Sequence, residues 1–85
     1  MITTAQYTIG TTVTLIAPAD DMVQRVLVHN NDAALQVFLG GASVTTSNGV
    51  HLDGKEEREI TLNPGEALYA VAAADRSISV MIQTQ

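Results

Sequence analysis

Hydrophobic positions in this chain recur mostly at every second residue, the period of strands that bury one face. Thr12-Val13-Thr14-Leu15-Ile16 alternates with Val13 and Leu15 on one side, and Pro18 with the Asp20-Asp21 pair ends it. Gln24 to His29 follows, its β-branched Val26 and Val28 facing one way. Asn30-Asn31-Asp32 is a turn signal, because Asn and Asp tolerate left-handed backbone and hydrogen-bond their own turns. Leu35 to Leu39 alternates again and stops at Gly40-Gly41. Val50-His51-Leu52, Arg58 to Leu62, Ala67 to Ala72 and Ser77 to Ile82 complete the series. Between them stand three turn signals, Asn48-Gly49, Asp53-Gly54 and Asn63-Pro64-Gly65. About seven or eight short strands at hairpin spacing predict an all-β fold, a small antiparallel sandwich or barrel. No linker or low-complexity tract divides it, so residues 1–85 read as one domain.

Two segments stay open on pattern alone. Asn63-Pro64-Gly65-Glu66 also has the form of a helix start, and the alanines at 67, 70, 72, 73 and 74 are good helix formers. Residues 64–74 are therefore strand or short capped helix. Residues 1–9 are polar, and they read as an extended N-terminal arm able to lie over a neighbour. Gly54-Lys55-Glu56 echoes Pro64-Gly65-Glu66, and both read as hairpin corners.

Composition changes the picture in one respect. Charged residues make up 15% of the chain, against roughly 25% in an average soluble domain. Hydrophobic residues reach 46%, yet only Tyr7, Phe38 and Tyr69 are aromatic. A chain this short buries only roughly 60–65% of the surface its unfolded form exposes. Disulfides cannot compensate, because there is no cysteine, and His29 and His51 alone make a poor zinc set. Contacts between subunits are the remaining device. The three aromatic residues are the candidate interface positions.

The net charge of −5 and the scattered Arg25, Lys55, Arg58 and Arg76 disfavour nucleic-acid binding. No stretch approaches the roughly 20 apolar residues that span a bilayer. The opening Met-Ile-Thr-Thr-Ala-Gln has neither the basic segment nor the apolar run of a secretory signal, so synthesis in the cytoplasm is expected.

Candidate chemistry is sparse. His51 and Asp53 share a face in an alternating strand, but no serine or cysteine stands in a nucleophile elbow to complete a triad. Glu56-Glu57-Arg58-Glu59 and Asp20-Asp21 supply carboxylates, yet consecutive strand residues point to opposite faces. Gly40-Gly41 lacks the lysine and helix start of a phosphate loop. A cupin-like enzyme, suggested only by the Pro-Gly-Glu turn and the β-rich chain, would need a cluster of metal-binding His and Glu. The expectation is no catalytic residue, no metal and no cofactor.

From Val37 onward the chain resembles a recurrent type of small bacteriophage virion protein. The residues that carry the resemblance are Val37-Phe38-Leu39-Gly40-Gly41, Val44-Thr45-Thr46-Ser47-Asn48-Gly49, Leu52, Gly54, and Leu62-Asn63-Pro64-Gly65-Glu66-Ala67-Leu68-Tyr69-Ala70-Val71. Asp75-Arg76-Ser77 departs from the glycine that pattern favours before the last strand. The resemblance implies a virion component, made in the host cytoplasm, that decorates or cements the capsid. Its implied partners are the major capsid protein and its own copies, in a trimer or other cyclic oligomer. The alternatives are a tail or head-to-tail accessory protein, or a receptor- or carbohydrate-binding module on a tail.

Overall fold

The computed structural model describes residues 1–84 and contains eight strands with no helix among them. In chain order these are β1 (Ile2–Ile9), β2 (Thr14–Ala17), β3 (Gln24–Asn30), β4 (Val37–Gly40), β5 (Val50–Leu52), β6 (Glu57–Leu62), β7 (Leu68–Val71) and β8 (Arg76–Thr84). They form two four-stranded sheets with the orders β1-β8-β3-β6 and β2-β7-β4-β5, every neighbouring pair antiparallel. Across the two sheets the first strand lies beside the eighth, the second beside the seventh, the third beside the sixth and the fourth beside the fifth. The chain is thus one long antiparallel hairpin rolled into two layers, the jelly-roll arrangement. It is a sandwich rather than a barrel.

Strand alternation builds the core. Ile9, Val26, Val28, Leu62, Ile78 and Val80 of the first sheet meet Ile16, Val37, Leu39, Leu52, Leu68 and Ala70 of the second. All are aliphatic, and β-branched Ile and Val with Leu and Ala fill the layer between the twisted sheets, with no aromatic ring among the buried residues. One strand departs from strict alternation. Ile16 and Ala17 are buried and Leu15 is 41% exposed, so Leu15 lies on the outer side of β2, and half-buried Val13 precedes the strand. A register shift between Leu15 and Ala17 accounts for the two consecutive buried positions, as a bulge re-aims side chains.

Residues 1–9 also differ from expectation. They are not a free arm here: β1 pairs with β8 from Ile2↔Gln83 to Ile9↔Arg76, and Met1 lies against Thr84. Met1 N donates to Thr84 O at 3.2 Å and Thr84 N to Met1 O at 3.0 Å. Half-buried Tyr7 and buried Ile9, two residues apart on one face, dock the segment on the core.

Residues 64–74 hold a turn and a strand, not a helix. Glu66 N donates to Asn63 O at 3.1 Å and Gly65 has φ 86°, which makes Asn63–Glu66 a turn with Pro at the second position and a left-handed glycine at the third. Glu66 Oε1 then accepts Asn63 N at 2.7 Å. The carboxylate therefore closes a turn instead of capping a helix.

The echoed corner uses the same device. Glu56 N donates to Asp53 O at 3.0 Å and Glu56 Oε1 accepts Asp53 N at 3.1 Å. Both corners carry the chain between sheets rather than joining neighbours in one sheet, because β6 belongs to the first sheet and β5 and β7 to the second. The left-handed residue at the earlier corner is Lys55, with φ 62°, and not the adjacent glycine. Gly54 is needed for another reason: a Cβ there would stand 2.5 Å from Ala33 O. Lys55 N still donates to Asn30 O and Asp32 O, bonds that any residue with an N–H can make. Lys55→Gly should therefore raise stability by about 0.5–1 kcal/mol, the left-handed cost less glycine's extra chain entropy. Urea unfolding of the variant checks this.

Asn48-Gly49 is no two-residue hairpin turn. Asn48 Oδ1 accepts Thr45 N at 2.7 Å, Thr45 Oγ1 accepts the N–H groups of Ser47 and Asn48, and Gly49 N donates to Thr45 O. The loop closes on itself and lies over the outer side of β4, where a Cβ on Gly40 would meet Val44 Cγ2 at 2.8 Å. Gly40 is there to admit Val44.

Candidate functional site

The outer faces of the two sheets are the chain's broad surfaces, and their side chains follow from register. On the first sheet Ile2, Gln83, Arg25 and Thr61 form one cross-strand row. Thr4, Met81, Leu27 and Glu59 form the next, and Gln6, Ser79, His29 and Glu57 the third. Charge gathers on the β6 side, where Arg25 Nη2 binds both carboxylate oxygens of Glu59 at 2.9 and 3.1 Å. Toward β1 the rows are uncharged, and Thr4, Gln6, Leu27, His29, Ser79 and Met81 line a shallow groove of about 310 Å³.

On the second sheet Leu15 stands across from Tyr69, which faces Gly40, while Phe38 faces Val71 and His51. Phe38 and Tyr69 thus come together on neighbouring strands of one outer face, beside half-exposed Leu15. Tyr7 does not join them: it lies on the first sheet, half-buried and packed against the core. The loop 41–49 sits against the same face as Phe38, since a Cβ on Gly49 would meet Phe38 Cβ at 2.8 Å. Phe38, Gly40, Val44, Gly49 and Tyr69 thus come together on this face.

The polar candidates have separate positions. His51 Nε2 is 3.9 Å from Asp53 Oδ1, with both side chains more than half exposed. His29 Nδ1 lies 2.8 Å from Asn31 Oδ1 on the opposite sheet. Glu56 closes its corner and Glu59 pairs with Arg25, while Asp20 Oδ1 accepts Met22 N at 3.0 Å. Among the described residues no group of three or more His, Asp or Glu is placed to hold a metal ion.

Sequence reasoning missed the most demanding polar residue. Asn30, read as the start of a turn, is fully buried at the end of β3. Its Nδ2 donates to Leu35 O at 2.7 Å and Leu52 O at 3.1 Å, and its Oδ1 accepts Asp32 N at 3.0 Å. Its backbone adds Asn30 N to Glu56 O and Lys55 N to Asn30 O. One residue therefore ties β3, the loop before β4, the end of β5 and the corner into β6. Next to it, Asp32 Oδ1 accepts Ala34 N and Leu35 N, both at 3.0 Å. These two backbone hydrogen bonds hold the Asp32 carboxyl below its ordinary pKa of 3.8, with small help from Arg76 and Lys55. A depressed pKa favours the folded state above the unfolded value, and that contribution is lost as pH falls through the folded value. Asp32→Asn should accordingly flatten part of the stability decline below about pH 4, read by thermal unfolding across acid pH.

No family model matches this chain, and no curated protein sequence matches it. Among solved structures it superposes on a chain from Bacillus endospore appendages, described as forming a novel family of disulfide-linked pili. The TM-score is 0.62 over 96% of this chain and 82% of that one, at 13% sequence identity. The likeness is one of fold. None of the 85 residues here is cysteine, so disulfide linkage has no counterpart in this chain.

Proposed function

We propose that this chain is a structural subunit of an ordered protein assembly, acting by contact with copies of itself, and that it is not an enzyme. The observation that carries this reading is where the charge lies. Ionised side chains concentrate on β6 and the corners beside it, and they leave the β1 half of one outer face and the Phe38–Tyr69 face of the other uncharged. Broad neutral surfaces of this kind limit solubility in a free monomer and favour coverage by neighbours. The appendage protein with the same fold supports assembly as the use of such surfaces. Fold alone does not dictate function, so the weight rests on the surfaces.

A finer reading is a bacteriophage virion protein that decorates the capsid by binding the major capsid protein. What favours it is that four of the resembling residues, Phe38, Gly40, Val44 and Tyr69, meet on the outer side of the second sheet, while Val37, Leu39, Leu52, Leu62, Leu68 and Ala70 of the same pattern pack the core beneath. That face is then the capsid contact, and repeated copies on a lattice strengthen it by multivalency. Electron microscopy of the concentrated chain should show regular particles or filaments; only dispersed monomers would sink the structural reading. Quantitative mass spectrometry of purified virions tests the capsid reading, and absence of the chain there rejects it.

A further inference from the structure

We infer that β1 is an assembly edge, which pairs antiparallel with the β1 of a second copy about a twofold axis at Ala5. The inference rests on the self-contact reading above and gives it a place and a register.

A sheet edge exposes unpaired backbone groups, and folded proteins blunt their edges with charge, proline, bulges or shortness. This sandwich has four edges, β1 and β6 in the first sheet and β2 and β5 in the second. Glu57, Arg58 and Glu59 occupy β6. The four-residue β2 carries the register shift at Leu15/Ala17 and runs into Pro18. Three residues make up β5. Against these, β1 runs for eight residues, Ile-Thr-Thr-Ala-Gln-Tyr-Thr-Ile, without charge, proline or glycine. It pairs in unbroken register with β8, with no bulge along its length. Three edges are protected and one is not.

The free groups on that edge can be assigned. Met1 and Thr84 exchange both backbone hydrogen bonds, so they are a hydrogen-bonded pair of the β1–β8 ladder. Such pairs alternate along an antiparallel ladder. Thr3, Ala5, Tyr7 and Ile9 therefore bond to β8, whereas Ile2, Thr4, Gln6 and Thr8 turn their N–H and C=O groups away from it. An antiparallel partner satisfies all four residues when Ile2 faces Thr8 and Thr4 faces Gln6, with Ala5 opposite Ala5 on the axis. That register forms about eight hydrogen bonds and one continuous eight-stranded sheet.

A second copy is the occupant that charge selects. The chain carries a net charge of −5, so most surfaces of two copies repel. Self-pairing along β6 would bring its Glu57 and Glu59 carboxylates near those of the partner. Self-pairing along β1 brings together Ile with Thr, Thr with Gln, Thr with Tyr, and Ala with Ala. No like charges meet there, and Thr and Gln pairs hydrogen-bond across strands. The contact is isologous and closes as a dimer, which leaves both outer faces free for further assembly.

The test uses two variants of the full chain, chosen because the Thr4 and Gln6 side chains are exposed and their backbone groups do not bond to β8. Thr4→Glu/Gln6→Glu sets carboxylates opposite carboxylates across the axis, and Thr4→Lys/Gln6→Glu sets ammonium opposite carboxylate. Native mass spectrometry should show wild type and the Lys/Glu variant at twice the 9.0 kDa chain mass. The Glu/Glu variant should dissociate at least about tenfold more readily and keep its β circular dichroism. Hydrogen exchange should be slow at the Thr4, Gln6 and Thr8 amides in wild type and fast in the Glu/Glu variant. A wild-type oligomer that survives Glu/Glu, with those amides exchanging fast, overturns the β1 edge and leaves self-assembly standing. A wild type that stays monomeric in every condition overturns both.

Discussion

Replacing Asn30 by aspartate should cost at least about 3 kcal/mol of stability at neutral pH, because a buried carboxylate would then face carbonyl oxygens. The change is nearly isosteric, so packing does not explain the loss. Asn30 Nδ2 donates to Leu35 O and Leu52 O, and an ionised carboxylate in its place would have no proton for either. Burial and the two carbonyls would both raise the pKa of that carboxyl in the folded state. The sign follows: the folded variant binds its proton more tightly than the unfolded chain, so its stability falls as pH rises from about 4 upward. Asn30→Ala supplies the control, a loss that does not depend on pH. Urea unfolding at several pH values reads both. A pH-independent loss in the aspartate variant would show that donors at this site are not what matters.

The second large effect is expected at Gly54. A Cβ on this residue would meet Ala33 O at 2.5 Å, Ala33 C at 2.6 Å and Ala34 N at 2.7 Å, all backbone atoms. Side chains can swing aside, but here the loop after β3 and the corner into β6 would have to separate. Overpacking of this kind costs about 1–3 kcal/mol, and the hydrogen bonds from Lys55 N to Asn30 O and Asp32 O strain with it. Gly54→Ala should therefore lower the denaturation midpoint well beyond the effect of Gly41→Ala, where nothing lies within 4 Å. Because Gly54 and Asn30 brace the same corner, the double variant should lose less than the sum of the two. Comparable losses at 41 and 54 would contradict the close approach.

These two sites mark where sequence stopped being informative. Period-two alternation located β3, β4, β6 and β8 closely, since Val26, Val28, Val37, Leu39, Ile60, Leu62, Ile78 and Val80 all point inward as their spacing requires. It failed at β2, where a bulge put Ile16 and Ala17 inside and Leu15 outside. A one-residue irregularity flips a face, and nothing local announces it. It also missed β1, because Thr and Gln dilute the alternation that docks Tyr7 and Ile9. Asp53-Gly54 and Asn48-Gly49 look alike as turn dipeptides, yet one glycine makes room for Ala33 and the other sits beside Phe38 and Val44. Those roles depend on residues distant in the chain. Asn30 is the same case, for its acceptors at 35 and 52 come from separate segments.

The candidate surface was legible in part. Phe38 and Tyr69 share an outer face, and that face also gathers the loop 44–49. Tyr7 was chosen by residue type, but its position in β1 turns it inward against the core. The shortage of charge was plain from composition; its distribution was not. Only the strand order shows that β6 gathers charge at one edge and leaves β1 neutral at the other.

Sedimentation velocity of the isolated full chain, from micromolar to millimolar concentration, tests the central claim most directly. A protein that works by contact with its own copies should shift from 9.0 kDa to a discrete larger species as concentration rises. A single 9.0 kDa boundary across the whole range would contradict the account.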